Sequence, residues 1–177
     1  MTIDPYMAVG LIPIVRGVHS RAEIARNLDH LEELFAFGCL ITGLDLPVRL
    51  IVIPEGALQG FSDETDDMDH VHYAREIAID VPGPETERIA SWARRFKVHV
   101  VAQAKARHPD FPDRYFNVGF VIDPEGEIIL RHHKLAPLYP IEHSMTPHDV
   151  FDRWVERYGR SLDAFWPVAD TAIGRIG

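Results

Sequence analysis

Thiol chemistry is nearly absent from this chain of 177 residues, which holds a single cysteine, Cys39. No internal disulfide can form. No stretch reads as a membrane span or a cleavable signal, so the expected setting is a reducing cytoplasm with no membrane partner. Basic residues are also scarce, 18 Lys plus Arg against 27 Asp plus Glu, for a formal net charge of −9. That balance excludes a nucleic-acid partner on compositional grounds. Internal repeats and low-complexity segments are missing too. What remains, 46% hydrophobic and 25% charged, is enough for one domain over residues 1–177 with a sizeable core.

The stretch Leu50 to Phe61 organises the rest. Leu50-Ile51-Val52-Ile53 makes a strand covered on both faces, and Pro54, lacking a ladder donor, ends it. Glu55 then lies just past the carboxyl end of a buried strand, where α/β sites gather. In partly apolar surroundings such a carboxylate is pushed up towards a general-base pKa; alternatively it caps the following turn. Upstream, Met7 to Val15 reads as a first strand. A helix follows, opened by the capping box Ser20/Glu23, striped by Ile24, Leu28, Leu31 and Phe35, and closed at Gly38. Cys39 falls in the next loop as a small buried filler.

Residues 62–72 are acidic and read as solvated loop. A second helix begins at Pro84 with Ile89, Trp92, Ala93 and Phe96 inward, and Val98 to Ala104 is another strand. Tyr115 to Ile122 and Glu127 to His133 form a hairpin around Asp123-Pro124-Glu125-Gly126. Thr146 to Asp149 starts a third helix, with Val150, Trp154 and Tyr158 inward and Gly159 closing it. Phe165 to Gly177 reads as a strand, a Gly-containing turn and the opening of one more strand. The histidines at 70 and 72, and at 132, 133, 143 and 148, match no usual ligand spacing, so no metal is expected.

Lys134 ends the hairpin, and Glu142 follows eight residues on. Taken alone, a lysine at a strand end is a solvated tip. Taken in order, Pro54-Glu55 with Gly60-Phe61, Tyr115-Phe116-Asn117, Asp123 to Glu127 and His133-Lys134-Leu135 resemble the nitrilase superfamily of carbon-nitrogen hydrolases. The resemblance implies the N-terminal part of a four-layer α-β-β-α sandwich, an α/β fold. It also implies Glu55 as general base, Lys134 as the cation stabilising a tetrahedral intermediate, and Glu142 as a second glutamate positioning lysine and substrate. Asn117, Tyr115 and His133 would bind substrate or support those three. No cofactor is implied; the expected partners are a small amide or nitrile and further copies of the chain in a homo-oligomer.

The nucleophilic cysteine of that superfamily follows a Gly-Arg-Ile-Gly type of segment, and this sequence ends with that segment at Gly177. Cys39 matches the end of the first helix instead. The expectation is therefore a domain incomplete at its C-terminus; the alternative is a catalytically dead short homologue that acts as a binding partner. The 144–162 segment looks like the lid-forming insertion of amidases, which favours an aliphatic amide over a nitrile.

Overall fold

The computed structural model describes residues 3–138 and 140–177. Strands β1 (Met7–Gly10), β2 (Val48–Val52), β3 (His99–Arg107), β4 (Tyr115–Ile122) and β5 (Ile128–His133) form one sheet in chain order. The first three run parallel and the last three antiparallel. Parallel neighbours need a crossover. The long helices α1 (Ile24–Thr42) and α4 (Pro84–Phe96) supply it, with the short helices α2 (Ser62–Thr65) and α3 (His70–Glu76) between them. Antiparallel β4 and β5 need only a turn. There Gly126 is left-handed (φ +89) and the Asp123 carboxylate accepts from the backbone of Glu125 and Glu127 at 3.0 and 2.9 Å.

Three layers stack. On one face Ile24, Leu28, Leu31 and Phe35 of α1 and Ile89, Trp92 and Ala93 of α4 pack against Ile51, Val100, Ala102 and Phe120. Each such large side chain contributes roughly 1.5–3 kcal/mol of burial, and Phe35 also joins the two helices through Trp92, ring centroids 5.6 Å apart. On the other face Val101, Val121 and Leu130 meet Ala169 and Ile176. Those two belong to a hairpin of β6 (Ala169–Thr171) and β7 (Gly174–Ile176). A third cluster, Phe116, Val118, Met145 and Phe165, forms around Trp154 of α5 (Phe151–Tyr158).

Several boundaries differ from the sequence expectation, each for a local reason. The first strand ends at Gly10 because Pro13 interrupts the ladder, leaving Ile12 94% exposed. Helix α1 runs through Gly38 to Thr42: this glycine is buried against Val9 and Leu11 and serves close approach to the sheet, not a left-handed stop. Cys39 is therefore helical, and burial pushes its thiol up to about 11. The Ser20 hydroxyl bonds the Glu23 carboxylate instead of capping backbone, and a 3-10 turn over Arg21–Glu23 precedes the helix. The third helix starts at Phe151, after a turn in which Asp149 accepts from the Thr146 backbone and hydroxyl. Finally, 62–72 is not a solvated loop. It holds α2 and the start of α3, and Asp63 is fully buried.

Candidate active site

The backbone of Ile53 donates to Val101 at 2.8 Å, the last sheet bond before Pro54, so Glu55 stands at the rim. Its loop is pinned on both sides. Gly60 is left-handed (φ +66), and a Cβ there would strike the backbone of Arg16 and Gly17. Asn27 donates to the carbonyls of Arg16 and Leu58, while the Gln59 amide brackets the backbone of Lys105, accepting from its N–H at 2.7 Å and donating to its carbonyl at 3.0 Å.

Four expected residues converge on this rim. Lys134 follows β5, and its backbone N–H donates to the Asn117 carbonyl at 2.9 Å, which ties it to β4. Its Nζ lies 3.0 Å from Glu55 Oε1 and 2.8 Å from Glu142 Oε2. Asn117, buried on β4, donates through Nδ2 to Glu55 Oε1 at 2.6 Å and to Glu142 Oε1 at 2.9 Å. One amide and one ammonium thus bridge the same two carboxylates.

The two glutamates are not equivalent. Glu142 is buried, and both its oxygens are occupied: Oε1 accepts from Asn117 and from the Ser144 hydroxyl at 3.0 Å, Oε2 from Lys134 and from the Leu138 N–H at 3.1 Å. Burial alone would raise its pKa, but these donors, Lys134 foremost, outweigh it and hold the carboxyl at about 2. Partial burial works against the charge of Lys134 as well; Glu142 and Glu55 overcome it and keep the ammonium above its ordinary range. Glu55 accepts both its bonds on Oε1, and its Oε2 has no partner among the described residues. Its side chain is 45% exposed, so the described residues do not provide the apolar surroundings expected of it.

Tyr115 and His133 are not brought to this cluster. Tyr115 is fully buried in a second polar centre, donating to Asp63 Oδ2 at 2.8 Å, with its ring 4.6 Å from Tyr73. Burial first, then Asp63, pushes its phenol well above the ordinary tyrosine range. Lys105 completes that centre, 1% exposed and paired with Asp63 and with Glu64, the latter at 2.7 Å. His133 packs among Trp154, Phe116 and His108 at 4.7, 5.2 and 6.1 Å, beside a cavity of about 550 Å³ under α5. Burial there, helped by His108, lowers its pKa to about 3, so the ring is neutral.

Ser144 and Gln103 belong to the rim and were not expected. Gln103 donates to Asn117 Oδ1 at 2.7 Å and accepts from the Gly56 N–H at 3.0 Å. Its only sequence signal is a polar residue at an alternating position of β3, which also carries His99, Lys105 and Arg107. Chemically, the cluster offers an accessible carboxylate oxygen beside a fixed cation, with a second carboxylate held permanently ionised. That is a proton acceptor next to a stabiliser of developing negative charge.

Comparison with known proteins follows the same lines. A family model described as Carbon-nitrogen hydrolase matches residues 15–177. A protein named Formamidase from Bacillus cereus (strain Q1) is 32% identical over 141 residues, 79% of this chain and 39% of that protein. Another from Bacillus anthracis (strain CDC 684 / NRRL 3495) is 32% identical over 126 residues, 71% of this chain and 35% of that one. The chain thus spans less than two fifths of the length of these relatives. Among solved structures, an N-terminal amidase superposes with a TM-score of 0.57 at 17% identity, covering 76% of this chain and 28% of that one. An amidase from Nesterenkonia sp. gives 0.55 at 16%, covering 77% and 46%. These likenesses support the same mixed α/β architecture.

Proposed function

The chain belongs to the carbon-nitrogen hydrolase family, and from that premise we propose that it contributes the base, the cation and the positioning carboxylate of an amide hydrolase whose cysteine nucleophile lies beyond Gly177. What carries the proposal is the asymmetry of the two glutamates around Lys134: Glu142 is saturated with donors, while Glu55, beside the ammonium, has one oxygen with no partner among the described residues.

In this scheme Glu55 Oε2 takes the thiol proton and the thiolate attacks the amide carbon. The carbonyl oxygen gains the electron pair and is stabilised by Lys134; one such fixed charge or donor is worth ~3 kcal/mol. Glu55 then delivers its proton to the leaving nitrogen, ammonia departs, and a thioester remains. Water, deprotonated by Glu55, attacks the thioester and releases the carboxylic acid and the thiol. Glu142 keeps Lys134 charged and in place throughout. The relatives named formamidase make formamide the first substrate to try.

The test is ammonia release by the complete gene product on formamide, longer aliphatic amides, N-terminal Asn and Gln peptides and nitriles. Turnover on an amide that drops by about 10²–10⁴ in Glu55→Gln and Lys134→Met, together with rapid iodoacetamide labelling of a cysteine other than Cys39, is expected. Turnover confined to nitriles would move the reading to the nitrilase branch. No turnover and no rapid labelling would leave a binding role in place of catalysis.

A further inference from the structure

Gln103 makes two hydrogen bonds of opposite sense. Its Oε1 accepts from the Gly56 N–H at 3.0 Å and its Nε2 donates to Asn117 Oδ1 at 2.7 Å. A backbone N–H can only donate, so it dictates which end of the Gln103 amide is oxygen. That choice dictates the next: Asn117 must turn its oxygen to Gln103 and its nitrogen outward. The two Nδ2 hydrogens are then spent on two carboxylates, Glu55 Oε1 at 2.6 Å and Glu142 Oε1 at 2.9 Å. Turned over, Asn117 would face both carboxylates with lone pairs.

We infer that Gln103 is a positioning residue for the proposed hydrolase: it passes the polarity of the Gly56 N–H to Asn117, which holds Glu55 and Glu142 by one oxygen each and leaves Glu55 Oε2 for proton transfer. The inference rests on Glu55 being the base. Gln103 touches no reacting atom. The anchor is economical in distance, because Gly56 is the residue after Glu55; the base's own loop sets the orientation of the amide that holds it.

Two variants of the complete gene product test this. Gln103→Leu strips the partners from the Gly56 N–H and from Asn117 Oδ1, freeing the amide to turn. Gln103→Glu sets a second acceptor against Asn117 Oδ1 and drives the turn. In each, kcat is expected to fall about 10-fold to 100-fold with KM changed less than about twofold. Carboxyl ¹³C titration gives a readout independent of turnover: the Glu142 signal, expected at about pH 2 in the parent, should titrate higher in both variants because Glu142 loses the Asn117 donor, while Lys134, Ser144 and the Leu138 N–H still face it. Variants that melt like the parent and leave both kcat and the Glu142 titration unmoved would overturn the inference. A parent inactive on every amide would sink the proposed reaction, and the titration would still decide whether Gln103 orients Asn117. Should one variant fail to fold, the other carries the comparison.

Discussion

At the scale of single residues, Glu142 couples the rim to the stability of the fold. Its carboxyl sits at about 2 against an ordinary 4.5. The folded state therefore prefers the ionised form, so the stabilisation is fully present above about pH 4.5 and is lost as pH falls through 2; a shift of that size corresponds to about 3 kcal/mol. Urea midpoints measured from pH 6 down to pH 3 should fall for the parent and vary much less for Glu142→Gln, which starts lower because Lys134 loses its buried partner. Equal pH slopes in the two would show that Glu142 is not the group responsible. The structure brings Glu55 and Lys134 within 3.0 Å of each other, and both were singled out in the sequence by the ordered motifs that carry the resemblance, one after a buried strand and one after a hairpin. Asp63 was not. Its neighbours, Glu64, Asp66 and Asp67, gave it the look of solvated surface, and the lysine that makes its burial tolerable is Lys105, remote in sequence on β3. Composition within a window carries no information about such a partner.

At the scale of elements, the Glu55 loop is held as a rigid piece. Gly60 is the position where that rigidity can be broken with one methyl group, since its left-handed backbone resists a side chain and an added Cβ would fall 2.5 Å from Gly17 Cα. Gly60→Ala should cost ~2–4 kcal/mol in urea unfolding and depress any turnover by more than the same substitution at Gly159, which is also left-handed but faces open space. Comparable losses at both would mean that strain, not the anchoring of this loop, sets the penalty. The hairpin β4–β5 and helix α4 were read correctly from the sequence because turn chemistry and apolar spacing are local signals. Helix α1 was cut short at Gly38 because a glycine that ends a helix and one that lets a helix approach a strand look alike until the strand is in view. Gln103 was overlooked for a related reason: a polar residue at an alternating position reads as the wet side of a strand.

At the scale of the whole molecule, the sheet is unevenly bonded. The β3–β4 ladder pairs every residue from Val100 to Arg107, whereas β6–β7 pairs three residues on each strand. Native-state hydrogen exchange should be slowest at Ala102, Ala104, Val118 and Phe120, and fastest among the strands in β6 and β7; uniform protection would contradict the layered picture. The ladder pattern also bears on the order in which a ribosome delivers the chain. Glu55 emerges early, just past a parallel strand whose β3 neighbour is still unsynthesised. Gln103, Asn117, Lys134 and Glu142 follow in that order, the last three only with and after the antiparallel hairpin. Parallel pairing closes long loops and is slow, while a hairpin closes a short one. The charge cluster thus cannot close until the chain has been made through Glu142, however early its first carboxylate is delivered.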